Sequence, residues 1–311
     1  MATSIEAEPP GSSVQPATGG SERAGAGGLS ILDDGAQLRR VLVAKLVAAG
    51  TSARDAAEAV DRGVSDAVHD FRKAVRRARA VFTLVADALP RNEARGARRT
   101  FRDARRVFGE ARDHAVALTI LAELSLDETE RDTARRGLEA AAVPATDEIK
   151  QALTEHAAHV VAQIEAIDAA LPPTITWSVV MAGVGTVYRN ARRARKAAKG
   201  SRRKFHTWRR RCKELTYQLE ALALGTGPEV DELRHEMEAV ADTQGHAVDL
   251  IMLGDLVRTH GAELALDAEL DSSIIESRRA GRDAFRPKPA KFIRRLTKAM
   301  RRDLASTPRG G

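Results

Sequence analysis

The sequence predicts an all-α protein, and three observations support this fold class. The chain is rich in alanine, arginine, leucine and glutamate, which are strong helix formers. The alternation of β-branched residues that is typical of strands is scarce. Glycine and proline interrupt the pattern only briefly, as expected for short connections between packed helices.

Local signals along the chain bound each predicted helix. Proline, whose fixed φ suits the first helical turn, falls at four of the starts, Pro90, Pro144, Pro228 and Pro287. The run Leu171-Pro172-Pro173 ends one half of the pattern, and Trp177 opens the next. The predicted helices are 33–49, 53–88, 91–123, 127–142, 146–170, 176–199, 201–224, 228–243, 245–269, 273–285 and 288–304. Residues 1–30 contain six glycines, three prolines and five serines with almost no apolar periodicity, which predicts a disordered tail.

One helical motif occurs twice in this chain. The pattern His-x-x-basic-basic-x-x-basic is formed first by His69, Arg72, Lys73 and Arg76. It is formed again by His206, Arg209, Arg210 and Lys213. Offsets of 0, 3, 4 and 7 residues fall on one face of a helix, so each copy gathers a histidine and three cations into one stripe. Like charges at these spacings repel and destabilise an isolated helix, so the repetition predicts an anionic ligand that neutralises them.

A second motif follows each copy of the first at nearly the same distance. Gly109 and Asp113 follow the first copy as Gly-x-x-x-Asp, and Gly245 and Asp249 follow the second copy in the same form. The separation between the motif histidine and this aspartate is 44 residues in the first half and 43 in the second. Two motifs held in register over that distance indicate two homologous halves.

These residues resemble the CHAD domain, a family of α-helical domains named for a conserved histidine. Segments 68–79 and 206–217 are similar to the two signature helices of the family, and 108–113 and 281–289 are similar to other family segments. The resemblance implies two four-helix bundles related by a pseudo-twofold axis, with basic helices around a central pore or groove.

The resemblance also divides the chain into regions. It covers residues 31–305, with an N-terminal half at 31–171, a C-terminal half at 175–305 and a short tail at 306–311. Within the second signature helix, Glu214 and Thr216 stand where the family usually has basic or aromatic residues.

Positive charge is concentrated in three segments, although the net charge is only +7. Residues 189–213 contain thirteen lysines and arginines and no acid, and residues 278–302 contain eleven against one acid. Residues 72–112 contain thirteen against four, whereas 113–171 hold twelve acids and four bases. Such asymmetry focuses the electrostatic field and is typical of a protein that binds a polyanion.

The candidate anion-binding residues are cations, two histidines and one tyrosine. An ordinary solvated helix face is the alternative interpretation, but solvated faces normally mix glutamate with lysine, and these faces carry one sign of charge. The candidates are His69, Arg72, Lys73, Arg76, Arg77, Arg79, Arg112, Arg189, Arg192, Arg193, Lys196, Lys199, Arg202, Arg203, His206, Arg209, Arg210, Lys213, Tyr217, Arg282 and Lys288.

The histidines and aspartates suggest two further interpretations, a metal site and a catalytic site. Several ligands are needed to hold a metal, and the cationic neighbours of His69 and His206 would repel a divalent ion. A phosphate contact suits them better, and a structural hydrogen bond to Asp113 or Asp249 is the alternative. The sequence has no nucleophile motif, phosphate-binding glycine loop or zinc helix. We therefore expect no enzyme activity, no cofactor and no metal.

Cysteine content and hydropathy indicate the cellular compartment. The single cysteine, Cys212, excludes an internal disulfide framework and suits a reducing cytoplasm. It lies on the apolar face of its helix, where we expect it to be core. The N-terminus lacks the pattern of a secretion signal, and no apolar run approaches the roughly 18 residues that span a bilayer. We expect a soluble cytoplasmic protein with no membrane partner.

The resemblance implies inorganic polyphosphate as the ligand and association with polyphosphate granules. A linear polyanion without bases fits these surfaces, because the chain has only eleven aromatic residues and single-stranded nucleic acid is usually held by stacking. The expected function is non-enzymatic polyphosphate binding. Two alternatives stay open, an RNA-binding module and a scaffold or regulatory subunit of a polyphosphate-handling enzyme.

Overall fold

The fold is entirely helical in the part of the chain that the structure describes, which confirms the all-α prediction. A computed structural model describes residues 31–106, 109–140, 146–198, 202–225, 227–259 and 264–306, with no side chains described at 109–115 and 202. Its helices are α1 (Gly35–Glu58), α2 (Val64–Val85), α3 (Arg91–Arg106), α4 (Gly109–Glu123), α5 (Glu128–Glu139), α6 (Thr146–Ala170), α7 (Trp177–Ala197), α8 (Arg202–Leu222), α9 (Glu229–Thr259), α10 (Asp267–Ala284) and α11 (Pro289–Ser306). None of these described helices is both long enough and apolar enough to cross a membrane. The predicted disordered tail, 1–30, lies outside the described residues.

Aspartate side chains define three of the helix starts. Asp34 accepts hydrogen bonds of 2.9 and 3.0 Å from two backbone amides of α1, and Asp127 caps α5 in the same way. The cap of α9 comes from a distant part of the chain, because Asp303 of α11 accepts from the amides of Glu229 (3.0 Å) and Val230 (2.9 Å). First-turn amides have no partner within their own helix, so this contact also fastens α11 to α9.

One continuous hydrophobic core joins the two halves of the sequence. Helix α2 lies at its centre and packs against α1, α3, α6, α7 and α8. Phe82 of α2 meets Phe101 of α3 with ring centroids 5.7 Å apart, and Tyr188 of α7 stacks on Phe292 of α11 at 4.1 Å. Cys212 is completely buried, which confirms its prediction as core.

Two glycines that mark predicted helix ends lie inside helices. The sequence predicts breaks at Gly50 and just before Gly245, but α1 and α9 run through both positions. A Cβ placed on Gly50 would come within 3.0 Å of the Cδ1 atom of Ile164, so this glycine lets α1 approach α6. A Cβ on Gly245 would lie 3.5 Å from Nη2 of Arg209. Both predicted boundaries are wrong, because α1 and α9 continue through these glycines. At Gly50 the absence of a side chain permits close packing, whereas at Gly245 a Cβ would make only an ordinary contact.

Three other predicted boundaries differ from the structure. The predicted helix 53–88 is divided, because α1 ends at Glu58 and a 3-10 turn at Val60–Arg62 precedes α2. The predicted helix 91–123 corresponds to α3 and α4, with residues 107 and 108 outside the described residues. Helix α10 begins at Asp267, six residues before its predicted start.

Candidate functional site

Helices α2 and α8, which carry the repeated motif, pack side by side in opposite directions. Arg77 forms an ion pair with Glu220 at 2.7 Å, and Arg79 forms one with Glu214 at 3.4 Å. Residue numbers therefore rise along α2 in the direction in which they fall along α8, so the two helices are antiparallel. Apolar residues at helical spacing turn the other faces of both helices to the core, so the two basic faces lie together.

The space beside the two basic faces consists of two adjoining cavities, which together we name the basic cleft. The larger cavity, of about 610 Å³, contains His69 and is lined by α2, α8 and α9. The smaller cavity, of about 240 Å³, contains His206 and is lined by α2, α3 and α8. Five side chains line both cavities, Arg72, Arg76, Arg209, Lys213 and Tyr217.

Backbone contacts position the cations in the middle of the cleft. Arg72 is buried, with 8% of its surface exposed, and donates a hydrogen bond of 3.2 Å to the carbonyl oxygen of Arg105. Arg209, at the equivalent place in the second motif, lies over Gly245 of α9, where a Cβ would be in ordinary van der Waals contact with its guanidinium. The glycine of the Gly-x-x-x-Asp motif thus adjoins the second arginine of this pair.

The end of the cleft that contains His206 concentrates arginines from three helices. Arg79, Arg105, Arg106 and Arg210 line it together. Burial, with repulsion from Arg210 and then Arg79, lowers the pKa of Arg105 to about 10. Burial also lowers the pKa of Arg210, and the nearby charge of Arg211 lowers it further. The Nε atom of Arg105 is buried without a hydrogen-bond partner among the described residues. Burial is the larger cause of both lowered pKa values, and repulsion between neighbouring arginines adds to it.

One carboxylate, Glu214, lines this end of the cleft. Only 9% of its side chain is exposed, and it pairs with Arg211 at 2.6 Å and with Arg79 at 3.4 Å. Its charge raises the pKa of Arg210 but is outweighed by burial and by repulsion from neighbouring arginines. Glu214 therefore offsets only part of the crowding.

Apart from the four cations that line both cavities, the end of the cleft that contains His69 is balanced in charge, with Lys73, Arg77 and Arg234 against Glu220, Asp231 and Glu238. Glu220 pairs there with Arg77 at 2.7 Å. Asp231 and Glu238 of α9 each lie 2.8 Å from Arg234, and hydrogen bonding to Asp231 raises the pKa of Arg234. Each lining acid at this end is therefore held in an ion pair.

Comparison with known proteins identifies the family. The sequence profile of the CHAD domain matches residues 46–258, a segment that includes α2, α8 and most of α9. The chain belongs to the CHAD domain family. Its fold is similar to the crystal structure of the CHAD domain from the plant Ricinus communis, with a TM-score of 0.52 over 88% of this chain and 94% of that chain, at 16% sequence identity. Curated protein sequences gave no match.

In this CHAD domain, most of the predicted site residues on α2 and α8 come together in the basic cleft. They arrive from two antiparallel helices separated by more than a hundred residues of sequence, as the repeated motif indicates. The predicted residues that line the cleft are His69, Arg72, Lys73, Arg76, Arg77, Arg79, His206, Arg209, Arg210, Lys213 and Tyr217.

Other predicted site residues do not line the cleft of this CHAD domain. They lie on α7, in the first turn of α8 and around the α10–α11 connection. Helix α8 separates most of them from the cleft, since its fully buried Trp208 packs against Gly281 on the opposite side. The residues in question are Arg189, Arg192, Arg193, Lys196, Arg203, Arg282 and Lys288. The predicted sites Arg112, Lys199 and Arg202 have side chains outside the described residues.

Sequence reasoning missed two arginines of α3 that line the cleft, Arg105 and Arg106. Helix α3 carries seven arginines in sixteen residues, and the sequence offers no means of choosing those that face α2 and α8. The sequence signal that could have identified Arg105 is its position, four residues before Gly109 of the repeated glycine motif. Arg234 of α9, which lines the other end, was also missed.

The described side chains provide no evident metal site in this CHAD domain. No group of three or more histidine, cysteine, aspartate or glutamate side chains within that part of the chain lies close enough to hold a metal ion.

Proposed function

We propose that this CHAD domain binds inorganic polyphosphate in the basic cleft without catalysing a reaction on it. The carrying observation is the shared wall of the two cavities, where Arg72 and Arg76 of α2 face Arg209 and Lys213 of α8. Arginine guanidinium groups bind phosphate oxygens in a bidentate manner. Polyphosphate binding is also associated with the CHAD family, to which this chain belongs.

The electrostatics of the cleft support a ligand with several charges. The pKa of Arg105 is lowered by burial and by neighbouring arginines, so the ligand-free protein keeps like charges close together at a cost in stability. A bound polyanion would offset this repulsion and would restore the pKa of Arg105 towards its ordinary value. From His69 to Arg79 the row extends ten residues, or about 15 Å along α2. Such a row suits consecutive phosphates of a linear chain.

The scarcity of aromatic residues in the cleft favours polyphosphate over single-stranded nucleic acid. Tyr217 is the one aromatic ring among the described side chains that line the two cavities, apart from the imidazoles. Proteins that hold single strands usually stack successive bases on aromatic rings. Polyphosphate has no bases and needs no such platform.

The proposal also includes an internal repeat of the fold. We take α2 and α8 as equivalent helices of an internal repeat, related by a pseudo-twofold axis through the cleft. Their antiparallel packing and the placement of the two motif copies at opposite ends support this interpretation. We also propose a cytoplasmic location at polyphosphate granules, which follows from the ligand.

Competition binding tests the proposed ligand. Long-chain polyphosphate, single-stranded RNA and duplex DNA are compared at matched phosphate concentration and salt. We expect polyphosphate to bind most tightly, with a log–log salt slope of roughly −4 to −7 for six to ten phosphate contacts. Equal competition by RNA would favour the nucleic-acid alternative, and the absence of binding to all three would favour a scaffold role.

A matched pair of variants locates the binding in the cleft. Arg76→Ala with Lys213→Ala removes one cation from each motif helix, and we expect the salt slope to become shallower by about 1.4, or about 0.7 for each lost phosphate contact. Arg40→Ala with Arg54→Ala removes the same charge from exposed positions of α1 that do not line the cleft. We expect this control to bind nearly as the wild type does. Equal losses in the two variants would show that net charge, and not the cleft, determines affinity.

A further inference from the structure

Arg77 of α2 lies where the His69 end of the basic cleft meets a further cavity. This cavity, of about 290 Å³, is lined by α1, α2 and α8, and we name it the side cavity. Arg77, Tyr217 and Glu220 line both the side cavity and the His69 cavity. Lys45 of α1 is the second cation of the side cavity, and its remaining lining residues are uncharged. The ion pair between Arg77 and Glu220 therefore lies at the boundary between the two spaces.

The ion pair between Arg77 and Glu220 is open to displacement. It joins Nη2 of Arg77 to Oε1 of Glu220 at 2.7 Å, and the two side chains are 40% and 38% exposed. The Nε atom of Arg77 has no hydrogen-bond partner among the described residues, and partly exposed pairs contribute little to stability. Glu214, the other acid of α8 that pairs with α2, is only 9% exposed and contacts two arginines. Of these two carboxylates, Glu220 is the one with room to move.

A phosphate in the His69 cavity competes with Glu220 for Arg77. A phosphate offers several oxygens to the guanidinium, and paired hydrogen bonds to one anion are stronger than a single contact. Once the phosphate has taken Arg77, the carboxylate of Glu220 faces a bound anion, and the two like charges repel. The carboxylate therefore needs another cation.

Lys45 is the cation in position to receive Glu220. Glu220 is the one acid among the described residues that line the side cavity with Lys45. The ammonium group of Lys45 is half-buried and forms no ion pair or hydrogen bond with a described residue. Its flexible four-carbon stem lets it meet a carboxylate across the cavity. Arg234 is already 2.8 Å from two acids of α9, and Lys73 lines the cavity that the phosphate itself occupies.

We infer that Glu220 is a displaceable counterion, which leaves Arg77 when a phosphate binds there and pairs with Lys45 in the side cavity. The inference rests on the proposed function of the cleft. It makes Lys45 a positioning residue, which acts through Glu220 without touching the phosphate. The exchange releases one cation of the balanced His69 end to the ligand, so the ligand itself makes that end positive.

A double-mutant cycle on Lys45 and Glu220 tests the exchange. Lys45→Met keeps an unbranched apolar stem and removes the ammonium, and Glu220→Gln removes the carboxylate charge. Affinity for one short polyphosphate is measured by calorimetry at physiological salt, where distant charges are screened. Arg54→Met removes one charge from an exposed position of α1 that lines neither the cleft nor the side cavity, and it serves as the control. Lys45→Gln repeats each measurement if Lys45→Met does not fold.

We expect the effect of Lys45→Met to depend on Glu220. In the wild-type background it should weaken binding by roughly two- to fivefold, the range expected for one partly exposed ion pair. With Glu220→Gln already present it should change affinity by less than about 1.5-fold, because no carboxylate is left to receive. Glu220→Gln alone should bind at least as tightly as the wild type, and Arg54→Met should bind as the wild type does.

The stability of the ligand-free protein distinguishes an exchange from a permanent contact. While Glu220 pairs with Arg77, it does not interact with Lys45. The changes in Tm from Lys45→Met and Glu220→Gln should therefore add in the double variant. The two residues should be coupled in affinity but not in Tm.

Three results would overturn the inference and leave the cleft proposal standing. Equal losses from Lys45→Met in both backgrounds would show that the lysine contacts phosphate directly. Normal binding by Lys45→Met, or changes in Tm that fail to add, would show that no exchange takes place on binding. Weaker binding by Glu220→Gln would show that Glu220 does not compete for Arg77. If the wild type binds the short chain no better than Arg76→Ala with Lys213→Ala, the proposed function itself fails and the inference fails with it.

Discussion

The two ends of the basic cleft carry the same motif in different surroundings. At the His69 end, Glu220 pairs with Arg77, and two acids of α9 hold Arg234. At the His206 end, α3 contributes further arginines in place of those acids, and Glu214 is the lining carboxylate. A repeated sequence has thus been placed against an acidic helix at one end and a basic helix at the other.

This difference indicates that the two ends contribute unequally to binding. Ion pairs within the protein must be broken or shared before a phosphate can use Arg77 or Arg234. At the His206 end burial lowers the pKa of Arg105, and repulsion from Arg210 and Arg79 lowers it further. Arg79 is shared with Glu214, but Arg105, Arg106 and Arg210 line this end without an ion pair to an acid among the described residues, so a phosphate gains more attraction there. We therefore expect the His206 end to dominate affinity.

The largest expected effect comes from removing two arginines at each end in turn. Arg79→Ala with Arg105→Ala should weaken polyphosphate binding roughly 100-fold, from about 1.4 kcal/mol for each lost charge-assisted hydrogen bond. Arg77→Ala with Arg234→Ala removes the same charge from the His69 end and should cost less than about fivefold. Calorimetry with one short polyphosphate provides both values. Equal losses at the two ends would break the comparison.

A second prediction concerns the stability of the ligand-free protein. Arg105→Met keeps an unbranched apolar stem and removes the crowded charge. Because burial and repulsion lower the pKa of Arg105 to about 10, its charged form destabilises the fold at neutral pH. We expect the variant to be more stable by about 1 kcal/mol, after allowance for solvent screening, and to bind polyphosphate less tightly.

The pH dependence of that gain follows from the direction of the pKa shift. Between about 10 and the ordinary arginine pKa, the unfolded chain keeps a proton that the folded protein has lost. The destabilisation from Arg105 is therefore complete below about pH 10 and is relieved as the pH rises through this window. The difference in Tm between variant and wild type should be largest near pH 7 and smaller at pH 10.5. A wild type that is more stable than the variant at pH 7 would contradict the crowding argument.

The sequence predicted the helices of the cleft because their signals are local. Spacing within the two motifs places the cations of α2 and α8 on one face of each helix, and apolar spacing fixes the other face as core. Neither inference requires knowledge of the neighbouring helices. The same local signal applies to α7, whose cations are indeed on an exposed face, but on a face that does not reach the cleft.

The asymmetry of the cleft could not be predicted from the sequence, because it depends on which helices cover its ends. Packing of α3 beside α2 and α8 brings Arg105 to the cleft. Packing of α9 beside the same two helices brings the acids Asp231 and Glu238 to it. The predicted break at Gly245 also divided α9, which is one helix in the structure, into two predicted helices. Local rules treat a glycine as a helix end, whereas here it lies inside α9 and contacts Arg209.

The smallest expected effect is that of a metal chelator, which should alter neither end. A histidine-bound metal would stabilise the fold, because binding to the folded state alone adds to the free energy of unfolding. At the His206 end, however, the surrounding arginines would repel a divalent ion, and His69 shares its cavity with Lys73 and Arg76. We expect EDTA to leave the Tm and the polyphosphate affinity of the untagged protein unchanged. His69→Gln and His206→Gln should then show the same indifference to EDTA. About one zinc or iron per motif in elemental analysis, removed by EDTA with loss of binding, would instead make the two histidine ends equivalent metal sites.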